Sequence, residues 1–73
     1  MPRLIRELAG AEPVDRQGTP LGPAVTLPAE AEYIITIRKL RRPDSFEDLW
    51  CEIGVGNQLY RVPLKLLETA NQS

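Results

Sequence analysis

The thiol of Cys51, the chain's single cysteine, is its strongest candidate nucleophile. The sequence has no histidine, which excludes the Ser-His and Cys-His pairs that usually activate a nucleophile. Cys51 alternates with Leu49 and Ile53 on a predicted strand, and this spacing favours a buried structural thiol. We therefore predict a protein that is not an enzyme and has no catalytic residue.

Metal and cofactor chemistry also finds little support in the residue types. The carboxylates of Glu47, Asp48 and Glu52 are close in sequence, but they do not match the shaped loop that supplies about six to eight oxygens to Ca²⁺. One cysteine without histidine cannot provide four zinc ligands. The stretch 54–56, Gly-Val-Gly, lacks the third glycine and the following helix of a dinucleotide site. We expect neither a metal nor a cofactor.

Four of the nine basic residues lie within positions 38–42. They are Arg38, Lys39, Arg41 and Arg42. With Arg61 they form a candidate phosphate-binding set, so a small β domain that binds nucleic acid is the alternative function. Asp44, Glu47 and Asp48 follow directly, which favours solvated charge pairs at a strand edge instead.

Aromatic residues indicate a protein-binding surface. Trp50 alternates with Cys51 and therefore points away from the predicted core, and tryptophan is a favoured anchor at protein interfaces. Tyr60 and Ile34 are the other candidate partner-binding residues. The main prediction is a small interaction module or accessory subunit that binds a protein partner, or self-associates, through the Trp50 face or a sheet edge. Coverage of Trp50 by the chain's own Pro-rich segment or C-terminal helix remains the competing interpretation.

Size and composition set the limits for these functions. The 73 residues suffice for one domain, whose small core would be marginally stable without help from a disulfide, a metal or a partner. The hydrophobic content of 42% is ordinary for a globular domain, and the net charge of −1 gives no long-range attraction to nucleic acid or to an anionic membrane. A secretory signal and a membrane span are not apparent, so we expect a cytoplasmic protein.

The first part of the chain is the least determined. Leu4, Ile5 and Leu8 fit one helical turn, but a strand using Leu4, Arg6 and Leu8 fits nearly as well. Residues 11–29 contain four prolines and two glycines, which predicts a long loop with a tight turn at Gln17 and Gly18.

The second part predicts a β-meander and a helix. Alternating or β-branched residues indicate strands near 32–41, 49–55 and 58–62, with Tyr33, Ile35 and Ile37 on the core face of the first. On the second strand, one face, with Cys51 and Ile53, would look inward, and the other, with Trp50 and Glu52, outward. This inward face also includes Leu49 and Val55.

Two local signals complete the meander. The pair at 56–57, Gly-Asn, predicts a two-residue hairpin turn of type II′ or I′. Pro63 ends the last strand and precedes a predicted helix at 64–70.

We thus predict a mostly β or α+β fold, namely a small antiparallel sheet with a short C-terminal helix. The sheet is expected as a three-stranded meander, or as an SH3-like open barrel if residues 3–27 add strands. One domain would comprise an N-terminal segment with a Pro/Gly-rich loop (1–30), the meander with its helix (31–70) and a frayed tail (71–73).

Residues 56–67 resemble the Gly-Asn…Val-x-x-Pro…Leu pattern near the start of swapped-hairpin bacterial antitoxins and transition-state regulators. That resemblance implies DNA binding. The motif lies near the opposite end of this chain, and the strands that follow it in those proteins are lacking, so no family is assigned.

Overall fold

The computed structural model of the protein describes residues 2–36 and 49–71. These residues form five strands and one helix in the order β1 (Leu8–Val14), β2 (Val25–Leu27), β3 (Ile34–Ile35), β4 (Trp50–Val55), β5 (Gln58–Pro63) and α1 (Leu64–Ala70). The fold is therefore mostly β with a short C-terminal helix, as the sequence predicted.

All five strands belong to one antiparallel sheet of order β2-β1-β5-β4-β3. The predicted meander is confirmed as β3-β4-β5, and β5 then pairs with β1 at the centre of the sheet. The N-terminal part of the chain thus adds two strands, as in the barrel alternative. The sheet is not closed, because β2 and β3 are its edges.

The β4–β5 hairpin is the longest pairing and forms where the sequence indicated. Trp50 lies opposite Pro63 at one end, and Val55 lies opposite Gln58 at the other. Gly56 has φ of +60° in the connecting turn, a conformation that a residue without a Cβ adopts readily. Because this turn has two residues, it sets the register of the hairpin.

The prediction of a long loop over residues 11–29 is wrong at both ends. β1 continues through Pro13 to Val14, and β2 begins at Val25. The tight turn spans Asp15 to Gly18, one position earlier than predicted, and the Gly18 N–H donates to the Asp15 carbonyl at 3.0 Å. Residues 15–24 and 28–29 lie outside these strands, so the prediction of irregular backbone is confirmed there.

The open choice between helix and strand for residues 3–9 is also resolved. Residues 3–7 are in neither element, and β1 starts at Leu8. An isolated bridge pairs Arg3 with Glu32, and their side chains form an ion pair at 2.9 Å. The segment therefore binds the chain that leads into β3.

The hydrophobic core lies between one face of the sheet, the N-terminal segment and α1. It includes residues of the sheet and of both covering segments, which are Leu4, Leu8, Ala11, Leu27, Tyr33, Ile53, Val62, Leu67 and Ala70. Leu4 and Ile53 are fully buried. We call this side of the sheet the inner face.

Helix α1 has the predicted bounds, and the N-terminal segment holds its end. The N–H groups of Ile5 and Arg6 both donate to the Ala70 carbonyl, at 2.9 and 3.0 Å. These bonds satisfy a carbonyl that the last helical turn leaves without an intrahelical donor. The Asn71 side chain adds a bond of 2.7 Å from its Nδ2 to the Tyr33 hydroxyl.

Two residues differ in solvent exposure from what their predicted strand faces implied. Tyr33 is buried as predicted, but Ile35 is 62% exposed because it lies at the edge of the sheet on a strand of only two residues. Glu52 lies on the face opposite the core, as predicted, but only 6% of it is exposed. The predicted strand beyond position 36, including Ile37, lies outside the described residues.

Candidate functional site

The sheet face opposite the core is the candidate site, and we call it the outer face. In β4 it carries Trp50, Glu52 and Gly54, since alternate residues of a strand share a face. Residues directly opposite one another on paired strands also share a face. The register therefore adds six residues of the neighbouring strands, which are Pro63, Arg61, Leu59, Glu12, Val14 and Ile34.

A row of polar side chains crosses the middle of the outer face. Arg61 lies opposite Glu52 on one side and opposite Glu12 on the other. Its Nη2 donates to Glu12 Oε1 at 2.8 Å, while the Thr36 hydroxyl donates to Glu52 Oε1 at 3.1 Å. The row therefore runs across β1, β5 and β4 to the residue that follows β3, and the charges of Arg61 and Glu12 compensate each other.

The Arg61–Glu12 pair is only partly screened from water. The exposed fractions of the two side chains are 42% and 25%. A pair with this exposure contributes about 0.2–1 kcal/mol to stability. The main effect of the pair is therefore to fix the orientation of the Arg61 guanidinium, and its contribution to the stability of the fold is small.

Trp50 lies beside this row and stacks against Arg61. The guanidinium carbon of Arg61 lies 5.4 Å from the centroid of the indole ring, within the range of a cation–π contact. Trp50 is still 37% exposed, and Ile34, on the same face, is 50% exposed. The sequence had indicated both residues as partner-binding, and the structure places both on one surface.

Tyr60, the third predicted partner-binding residue, does not belong to this surface. It lies opposite Ile53 and packs against the core cluster on the inner face. Positions 60 and 61 of one strand necessarily point to opposite faces, so Tyr60 and Arg61 cannot act together.

The candidate phosphate-binding set is represented in the described residues by Arg61 alone. Arg38, Lys39, Arg41 and Arg42 lie outside the described residues. Arg61 is bonded to a carboxylate and stacked on an indole, so its charge is already balanced where it lies.

The outer face also carries a groove that the sequence did not indicate. The turn at Asp15 to Gly18 and the β4–β5 turn border an open volume of about 480 Å³. Six of its lining residues are apolar or lack a side chain, namely Val14, Leu21, Ile34, Gly54, Gly56 and Leu59. The only signal in the sequence was Gly54 within a strand, which marks a close approach as often as a bend.

Cys51 lies away from the outer face and is half-buried. It packs against the core cluster, and burial raises the pKa of its thiol. At neutral pH the thiolate fraction is therefore lower than for an exposed cysteine, and the thiol is a poor nucleophile there.

Within residues 2–36 and 49–71, no group of three cysteine or carboxylate side chains is arranged to hold a metal ion. Of the helices in this part of the chain, none is long and apolar enough to cross a membrane. Comparisons with family models, with curated proteins and with solved structures return no match.

Proposed function

We propose that this protein is a small interaction module that binds a protein partner through the outer face, with Trp50 as the anchor. The observation that carries the proposal is the exposure of Trp50 and Ile34 on one sheet face, beside an arginine already held in place by Glu12. Tryptophan and arginine are the residues most often found to dominate binding at protein interfaces.

The pre-formed geometry of Arg61 supports this proposal. Its side chain is held by Glu12 on one side and by the Trp50 ring on the other. A partner that covers both residues immobilises few additional rotamers, so less conformational entropy is lost on binding. A phosphate ligand at Arg61 is disfavoured, because the carboxylate of Glu12, which is bonded to Arg61, would repel it.

The sheet edges are weaker candidates for the same role. β2 has three residues and lies between Pro23 and Pro28, which cannot donate to a ladder. Next to β3, the Leu4 N–H already donates to the Ala31 carbonyl, and the Tyr33 N–H donates to the Pro2 carbonyl. An added strand would meet only a short edge in the described part of the chain, with three residues in β2 and two in β3.

The proposal is tested by replacing Trp50. The full chain is immobilised and exposed to extract of its native host, and retained proteins are identified and titrated against purified chain. We expect Trp50→Ala to weaken retention of the partner by at least about tenfold, which corresponds to about 1.4 kcal/mol of an interface anchor. Sedimentation of the purified chain tests self-association with the same variant.

Leu66→Ala is the matched control, because Leu66 is 41% exposed on α1, away from the outer face. Ile34→Ala is a second variant in case Trp50→Ala unfolds, and thermal melts establish that each variant is folded. Equal retention by the wild-type protein and by both outer-face variants would contradict the proposal. Retention of nucleic acid that falls steeply with salt would instead favour the alternative function.

A further inference from the structure

Residues 2–6, which we call the arm, lie along the chain that leads into β3 as an added strand would. The Leu4 N–H donates to the Ala31 carbonyl at 3.0 Å, and the Leu4 carbonyl accepts from the Glu30 N–H at 2.8 Å. The arm is thus held by antiparallel backbone pairing, which is also a common way for a segment of one protein chain to bind another chain.

Both ends of the arm are bonded as well. The Tyr33 N–H donates to the Pro2 carbonyl at 3.0 Å, and the N–H groups of Ile5 and Arg6 donate to the Ala70 carbonyl of α1. The site that receives the arm, which we call the receiving site, therefore consists of the chain before β3 and the end of α1.

Leu4 is the one side chain of the arm that enters the core. It is fully buried, whereas Ile5 is 48% exposed, and Pro2, Arg3 and Arg6 are exposed as well. Release of the arm would therefore bring one large buried apolar side chain into water. A segment with a single buried anchor leaves its site at a smaller cost in free energy than a strand in the centre of the sheet.

The arm and the receiving site carry opposite charges. Arg3 Nη2 lies 2.9 Å from Glu32 Oε1, and the two side chains are 60% and 43% exposed. Because water surrounds both groups, this ion pair contributes little to the stability of the fold. Its charges can therefore be reversed on either side without disturbing the core.

The connection between the arm and β1 is free of regular structure. Residues 5–7 belong to no strand or helix, and the side chains of all three are exposed. A change of direction at these residues moves the arm and leaves the order of the strands intact. Exchange of an element between identical chains needs only such a connection, because each contact made within one chain is made again between two.

We propose that two copies of this chain exchange their arms and thereby form a dimer. Each copy then supplies Leu4 to the core of the other and Arg3 to the other's Glu32. A second copy is the occupant because its arm is the segment whose fit to the receiving site the structure shows. The monomer and the exchanged dimer share these contacts, so protein concentration shifts the equilibrium between them. The arm lies on the inner face, and the inference does not depend on the proposed function.

The test reverses the charge on each side in separate full-length chains. In Arg3→Glu the arm has the same charge as its own receiving site, and in Glu32→Arg the receiving site has the same charge as its own arm. Arms exchanged between these two chains meet opposite charges at both sites. After the chains are refolded together from urea, we expect sedimentation to show a heterodimer at least about fivefold more populated than either homodimer.

The matched control mixes the wild-type chain with the double variant Arg3→Glu/Glu32→Arg. Each of these chains has an attractive pair of its own, whereas arms exchanged between them would meet like charges at both sites. We expect no heterodimer in this mixture. Thermal melts establish that every variant is folded.

A second measurement needs no substitution. Wild-type chain labelled with ¹³C at leucine is refolded together with ¹⁵N-labelled wild-type chain at millimolar concentration. Exchange predicts a filtered nuclear Overhauser effect between Leu4 of one copy and the Glu30 N–H of the other, because the structure pairs these two residues.

The inference is overturned if the two single variants form no heterodimer, if the control mixture forms one as readily, or if the filtered spectrum lacks the contact between copies. Dimers that form alike in all chains, whatever the charges, would also overturn it and would place the interface on another surface. Retention of a different host protein that is lost in Arg3→Glu would assign the receiving site to that partner instead. None of these outcomes affects the test of Trp50.

Discussion

At the scale of single residues, the outer face depends on how Arg61 is held. Arg61 faces carboxylates on both neighbouring strands and stacks on Trp50. Its Nε is buried and lacks a hydrogen-bond partner among the described residues, whereas Nη2 is bonded to Glu12. The guanidinium is therefore held by one hydrogen bond to Glu12 and by the Trp50 ring.

The half-buried position of Cys51 predicts slow alkylation of its thiol. Because burial raises the pKa, the thiolate fraction at a given pH is lower in the folded chain than in the unfolded one. We expect iodoacetamide at pH 8 to alkylate Cys51 more slowly in the native protein than in urea. The native rate should go on rising with pH beyond the point where the unfolded rate levels off. Equal alkylation rates in the native and in the urea-unfolded chain would contradict the half-buried position of Cys51.

The backbone conformation of Glu30 indicates a position where a substitution can raise the stability of the fold. In the described part of the chain it is the one non-glycine residue with a positive φ, which is 72°. A side chain costs about 1–2 kcal/mol in this left-handed region, which asparagine tolerates better than glutamate. We expect Glu30→Asn to raise the free energy of unfolding, measured in urea, by about 0.5–1 kcal/mol. Ala29→Gly, at a position without positive φ, should lower it instead.

At the scale of elements, the N-terminal segment and α1 stabilise each other. Leu4 lies in the core, and the N–H groups of the two residues that follow it donate to the Ala70 carbonyl at the end of α1. A helix of seven residues is too short to be stable alone in water. Tertiary contacts with this segment therefore account for the presence of α1.

This arrangement predicts that substituting two adjacent residues changes the free energy of unfolding by very different amounts. Leu4→Ala should lower the free energy of unfolding by about 2–5 kcal/mol, because Leu4 is fully buried. Ile5→Ala should change it by no more than about 0.5 kcal/mol, since Ile5 is 48% exposed and its bond to Ala70 uses the backbone. Urea unfolding followed by Trp50 fluorescence measures both. Similar losses for the two variants would refute the described packing.

At the scale of the whole molecule, the central position of β1 makes the N-terminal region part of the core. β1 pairs with β2 on one side and with β5 on the other. Its residues Leu8 and Ala11 belong to the core cluster. The meander alone would therefore leave one flank of β5 and much of the inner face uncovered.

A chain lacking residues 1–30 is accordingly expected not to fold. A small sheet that loses two of its five strands and part of its core cannot offset the conformational entropy of the remaining chain. The measurement is the dispersion of its ¹H–¹⁵N spectrum, compared with that of the full chain. A well-dispersed spectrum of the fragment would show that the meander is self-sufficient.

The sequence by itself determined the elements whose signals are local. The glycine in the turn at 56–57, the proline at 63 and the alternation around Cys51 were sufficient for the β4–β5 hairpin and for α1. The outward direction of Trp50 followed from the same alternation. These features depend on neighbours a few positions apart, so the pattern alone contains them.

Only the tertiary structure decided how distant segments meet. It placed β1 beside β5, buried Glu52 in a row with Thr36 and Arg61, and moved Tyr60 to the inner face. It also created the groove, by bringing Val14 and Leu21 next to Gly54. Burial and pairing depend on contacts between positions far apart in the chain, which local patterns do not encode, and the bond from Gln58 to Val14 has a separation of 44.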